Sequence, residues 1–192
     1  MWPRLALTVV LFGPWVPAAG DAFNAEGYRL PPYRSAVTAP LEGATRLSTE
    51  GVYELLLQHG SAISLIDVTP LGWQDGVFLQ AYPHLSLPGA TWLPNVGSAA
   101  LTPSWQAYFV DALDQLADGH PETPLVFFCR RDCWLSWNAA RRARDLGYRR
   151  VYWYPDGIDG WQEAGHDQAA ICPAPLGDHA ALSLCQPSVR AR

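Results

Sequence analysis

Four apolar residues, Leu125-Val126-Phe127-Phe128, run straight into Cys129-Arg130-Arg131-Asp132-Cys133-Trp134, and Leu135 to Leu146 then carries a helical pattern closed by Gly147. An uninterrupted apolar run of this length fits a strand buried on both faces. The same alternation recurs along the chain. Ser48 caps a predicted helix through Val52, Leu55 and Leu56 that stops at Gly60, and Ala62–Val68 follows as a buried strand. The stretch 69–101 is rich in Pro and Gly, with a short strand expected at Ala90–Leu93. Thr102-Pro103 opens a second helix through Leu116, and Val151–Tyr154 is a further strand. Alternating strands and helices predict an α/β domain, a parallel sheet with helices on both faces. Ligands of such sheets sit beyond the carboxyl ends of the strands, where Asp67 and Cys129 both fall.

Flanking segments frame this domain. Residues 1–20 carry Arg4, an apolar stretch from Leu5 to Val16 and a small-residue exit, the pattern of a secretory signal peptide cleaved near Ala19–Ala22. The alternative is an uncleaved membrane tether. The apolar stretch is shorter than the ~20 residues a bilayer span needs, so no span is expected after cleavage. A Pro-rich arm is expected over 21–45, the α/β domain over 46–168 and a C-terminal tail over 169–192. Export implies a periplasmic protein whose cysteines meet an oxidising compartment. Four cysteines allow three full pairings, and proximity favours Cys129 with Cys133 and Cys172 with Cys185. The second pair reads as a staple, its loop closure contributing about 3 kcal/mol on the chain-entropy model.

A net charge of −5 argues against nucleic acid as a partner. All 13 cationic side chains are Arg, and several cluster around Cys129. A cysteine delivered by a buried strand to a helix start is placed as a nucleophile, because unpaired N–H groups there favour the thiolate. The competing reading is a pair of small core hydrophobes. Arg130 and Arg131 are candidates to lower the Cys129 pKa and attract anions, or else they solvate the loop rim. If residues 129–133 are helical, the axial offset of ~6 Å lets the two sulfurs close. Cys129 is then the accessible sulfur and Cys133 the resolving one. Asp132 reads as a first-turn acid or as a charge that keeps Cys133 from ionising. Trp134 and Trp137 either cover the sulfurs as a docking surface or pack in the core. Asp67 is expected to orient the cysteine loop by hydrogen bonding, with Ser136 as a supporting residue at the helix start. His84 is the one histidine near the expected cleft and reads as solvated. No metal spacing, phosphate loop or dinucleotide fingerprint is present, so no cofactor is expected.

Ile66-Asp67-Val68, Leu87-Pro88-Gly89-Ala90, the Cys129 loop with Ala139-Ala140, Gly147–Tyr152, and Asp156-Gly157-Ile158-Asp159-Gly160-Trp161 together resemble the rhodanese-like domain over roughly Arg46 to Gly165. Cys133-Trp134 with Ser136–Ala140 is similar to an exported family named for a Cys-x-x-Cys-Trp motif and associated with PQQ-dependent alcohol catabolism. The spacing here is Cys-x-x-x-Cys-Trp, and the loop is one residue longer than in sulfurtransferases. Leu135 stands where the related phosphatase loop has Arg, and Thr69 where many rhodaneses have Arg. The resemblance implies a nest of N–H groups around the Cys129 sulfur. Three functions follow. The first is a redox-capable thiol protein acting on a periplasmic protein or small thiol in a quinoprotein pathway. The second is a sulfurtransferase carrying a persulfide on Cys129, and the third is a binding module without turnover.

Overall fold

The computed structural model describes residues 22–176 and residue 185. The expected signal peptide and its cleavage site lie outside the described residues, as do 177–184 and 186–192. Among the described residues, nine strands and four α-helices follow in the order β1 (Thr45–Arg46), α1 (Thr49–His59), β2 (Ser64–Asp67), β3 (Gly72–Gln74), β4 (Val77–Leu79), β5 (His84–Ser86), β6 (Thr91–Trp92), α2 (Pro103–Ala117), β7 (Leu125–Phe128), α3 (Trp134–Asp145), β8 (Val151–Tyr154), α4 (Gly157–Glu163) and β9 (Ala169–Ile171). Five of them form an all-parallel sheet in the order β1-β8-β7-β2-β6.

Side-chain alternation along these strands builds two cores. Ile66, Val68, Leu125, Phe127, Val151 and Trp153 meet α2 and α3 on one face. Leu65, Val126, Phe128 and Tyr154 meet Val52 of α1 and Ile158 and Trp161 of α4 on the other. The helices begin where their caps dictate: Ser48 Oγ accepts from Gly51 N–H, and Thr102 Oγ1 accepts from Trp105 N–H ahead of Pro103. Both expected boundaries and the parallel sheet are thus present in the structure.

The stretch 69–101 is more ordered than its composition implies. Asp75-Gly76, both at positive φ, turn an antiparallel hairpin between β3 and β4, the preferred two-residue connection for twisted strands. Strand β5 pairs antiparallel with β9, so residues 169–171, the start of the expected tail, join a small sheet. Cys172 bonds to Cys185 just beyond it, with Cα atoms 5.6 Å apart.

The Pro-rich arm is not free either. Phe23 packs edge-on against Trp134, and Arg29 exchanges hydrogen bonds with Asn138 in both directions. Arg142 is buried, donating to the Val96 and Ser98 carbonyls beneath Tyr28. No described helix is long and apolar enough to cross a membrane.

Candidate functional site

Strand β7 ends at Phe128, and the next residue, Cys129, carries its sulfur to the face where α3 packs. The chain then makes a loop rather than a helical turn. Asp132 takes a left-handed φ of 54°, Cys133 is extended, and α3 starts only at Trp134. Asp tolerates this conformation better than most residues, because its short polar side chain suits local hydrogen bonding. The helical path expected between the cysteines is therefore corrected, and Asp132 is a turn residue rather than a first-turn acid. The turn still brings the Cα atoms of Cys129 and Cys133 to 6.4 Å, and the two are joined by a disulfide.

Access to the two sulfurs is the reverse of expectation. Cys129 is wholly buried, whereas Cys133 is 3% exposed and lines a cavity of about 460 Å³ with Tyr33, Arg34, Thr69, Pro70, Ser98, Arg130 and Leu135. The cause is strand parity: the last turn of β7 aims Cys129 into the core beneath α3, while the extended Cys133 faces out. Cys133 is the outer sulfur.

Among the described residues no loop N–H donates to Cys129 Sγ. Its Sγ lies 3.4 Å from the Cys133 carbonyl oxygen and 3.6 Å from that of Arg130. Two N–H groups of the loop are engaged elsewhere: Arg131 N–H donates to Asp159 Oδ2 at 2.8 Å, and Trp134 N–H donates to the Tyr33 carbonyl at 2.9 Å. Ser35 N–H in turn donates to the Asp132 carbonyl, pairing the arm to the loop at Arg34 and Cys133. A carboxylate and an arm carbonyl thus occupy donors that an anion would need.

The flanking cations are neutralised by α4. Arg130 Nε donates to Asp159 at 3.2 Å, and Arg131 forks onto Glu163 with two bonds of 2.7 Å. Arg130 borders the cavity; Arg131 does not. Glu163 is held below the usual carboxylate range by the Arg131 hydrogen bond. Burial pushes the Asp159 carboxyl up, but hydrogen bonds from Arg130 and the Arg131 N–H, with the charges of Arg130 and Arg34, outweigh it and hold the group low. A carboxylate depressed in the fold contributes stability above its unfolded value, about 3.9, and that contribution is lost as pH falls through the lower folded value. Asp159→Asn is therefore expected to cost about 1 kcal/mol at pH 7. The difference from the parent should shrink below about pH 4. Urea unfolding of both proteins at pH 7 and pH 3 checks this, and an equal difference at both would refute it.

Two expected roles change, those of Asp67 and His84, and Trp134 takes the core-packed one of its two readings. Trp134 is 5% exposed, donates to Ser35 Oγ at 3.0 Å and packs against Phe23 and Trp137, so it braces the arm and does not line the cavity. Asp67 does not touch the cysteine loop. Strand alternation sends its side chain to the face opposite Cys129, where it accepts from Thr69 N–H and Oγ1, from Ser86 Oγ at 2.7 Å, and sits 2.7 Å from His84 Nε2. His84 is thereby partnered, and it stacks on Trp92. Ser136 does support the site: its Oγ donates to the Cys133 carbonyl and accepts from Trp153 Nε1. Tyr33, Arg34 and Asp159 were not singled out in the sequence. Asp159 stood inside the Asp156–Trp161 motif, whereas irregular arm residues carry no period that would reveal them.

The family model described as a Rhodanese-like domain matches residues 49–164. No curated protein matches the chain. Solved structures similar to it include a polysulfide-sulfur transferase homodimer from Wolinella succinogenes, at 20% identity over 74% of this chain and 86% of that one, with a TM-score of 0.42. A thiosulfate sulfurtransferase from Pseudomonas aeruginosa is 18% identical over 70% of this chain and 22% of that one, with a TM-score of 0.47. The Alr3790 protein from Anabaena sp. is 17% identical over 65% and 80%, with a TM-score of 0.44.

Proposed function

Because the chain belongs to the rhodanese-like domain family, we propose that it uses that family's cysteine loop for thiol–disulfide exchange, with Cys129 and Cys133 as the exchanging pair. The observation that carries this reading is the bonded pair itself, with one sulfur facing a cavity and the other buried behind it. A thiolate entering the cavity attacks Cys133 Sγ, the S–S bond breaks, and its electron pair leaves on Cys129. The carbonyls of Cys133 and Arg130 beside that sulfur accept from a thiol S–H and repel a thiolate. Cys129 therefore takes up the proton released by the incoming thiol. A second thiol, or Cys129 itself, resolves the mixed disulfide. In this scheme Cys129 is the resolving sulfur.

Persulfide transfer is the second reading, favoured by family membership. It needs an anion cradle at Cys129, and the diverted Arg131 and Trp134 N–H groups weigh against it. The signal-like leader supports an exported, periplasmic setting, and Cys133-Trp134 supports a place beside PQQ-dependent alcohol oxidation. A partner in that pathway supplies or removes the electrons.

Equilibration in glutathione buffers of graded potential, followed by acid quenching and peptide mass analysis, tests the reading. The Cys129–Cys133 peptide should gain two hydrogens in one two-electron transition as the buffer becomes more reducing. A pair that stays oxidised at every potential, or thiosulfate-to-acceptor turnover that survives Cys133→Ser, would overturn it.

A further inference from the structure

We propose that the thiol admitted at Cys133 is a low-molecular-weight thiol acid, bound with its carboxylate on Arg34 and its apolar body against Tyr33, Pro70 and Leu135. This rests on the exchange reading above and deepens it. The first argument is steric. Cys133 is 3% exposed, at the wall of a cavity of about 460 Å³, within the range of about 300–1,000 Å³ typical of small-molecule sites. A small molecule reaches a sulfur that is 3% exposed at a cavity wall more readily than a cysteine held on a folded surface does.

The second argument concerns backbone. An extended partner segment would reach Cys133 by adding a strand to the loop. That pairing is already made within the chain, by Trp134 N–H on the Tyr33 carbonyl and Ser35 N–H on the Asp132 carbonyl. With the edge occupied, a ligand must enter through the cavity, side-on to the arm.

Charge identifies the rest of the molecule. The cavity is lined by two guanidinium groups and by no acid. Arg130 is bound to Asp159, whereas the exposed Arg34, whose charge also acts on Asp159, makes no side-chain hydrogen bond or ion pair among the described residues. A planar fork without a partner beside an apolar wall suits a carboxylate on a short apolar stem. The complete reaction consumes two equivalents of thiol acid, RSH. The first forms RS–S–Cys133 and leaves Cys129 as S–H. The second displaces Cys133, giving RSSR and the reduced pair, so two electrons and two hydrogens pass from the thiols to the protein.

The experiment follows reduction of the full-length oxidised protein by 3-mercaptopropionate, mercaptoethanol and cysteamine, each rate divided by thiolate concentration. Parent protein should prefer mercaptopropionate. In Arg34→Ala the ratio of mercaptopropionate to mercaptoethanol rates should fall about two- to fivefold, as loss of an exposed ion pair implies, and Arg34→Glu should shift preference to cysteamine. Taking the quotient of ratios removes intrinsic thiol reactivity. Arg149→Ala, which removes an exposed charge paired with Glu122, should leave the ratio at the parent value. An unchanged ratio in Arg34→Ala, or faster reduction by a folded dithiol protein than by mercaptopropionate, would overturn the thiol-acid assignment while leaving exchange intact. Failure of every thiol to reduce the native pair would instead overturn exchange itself.

Discussion

Cys129→Ser should accumulate a mixed disulfide at Cys133 when treated with oxidised glutathione, whereas native Cys133→Ser should be modified at Cys129 at least about a hundredfold more slowly. The asymmetry follows from exposure: Cys133 borders the cavity and Cys129 has no solvent-accessible surface. Reaching Cys129 requires the loop to open against its bonds to the arm and α4. An opening cost near 3 kcal/mol corresponds to roughly a hundredfold in rate. Intact-mass time courses on both variants measure it. Equal rates would mean that the outer and inner sulfurs have been assigned wrongly, and a faster Cys133→Ser would restore Cys129 as the attacking atom.

Gly157→Ala is expected to destabilise the fold by about 4 kcal/mol, at the upper end for a single substitution. Two effects add. Gly157 has a φ of 55°, a left-handed conformation that a side chain strains. A Cβ there would also collide with the Cys129 carbonyl oxygen, which accepts from Ile158 N–H at 2.9 Å. The carbonyl is part of the backbone at the end of β7, so relief requires moving either α4 or the cysteine loop. Chemical denaturation at neutral pH gives the stability change, and the same sample reports whether Cys129 becomes reactive. A loss below about 1 kcal/mol would show that α4 yields easily, so that the Asp159 and Glu163 contacts do not fix the loop.

The sheet was legible because its signals are local and repeated. Leu125–Phe128 and Val151–Tyr154 are apolar throughout, and Ser48, Gly60 and Thr102-Pro103 mark helix ends by their own chemistry. The β3–β4 hairpin was missed: Asp75-Gly76 is a strong turn signal, but the surrounding prolines and glycines made the whole stretch read as loop. Strands β1, β5 and β9 were not, because two or three residues carry no measurable alternation and their pairing is decided by distant partners. The cysteine pair was legible from spacing. Which sulfur faces water was not, because it depends on one left-handed residue, Asp132, that replaces a helical path by a loop. Asp67 shows the same limit. Its place at a strand end was correct, yet the register with Phe128 puts it on the other side of the sheet from the residue that follows Phe128.

The contact between Ser35 and Trp134 joins residues 99 positions apart, whereas the two bonded cysteines are separated by only 4. Closing the small ring demands little chain entropy, and bringing the arm back across α3 demands more. Covalent state and shelter are therefore governed by different lengths of chain. The ring can form in a fragment that has not yet recruited the arm, and whatever loosens residues 33–35 alters how the sulfurs meet solvent without touching the bond between them.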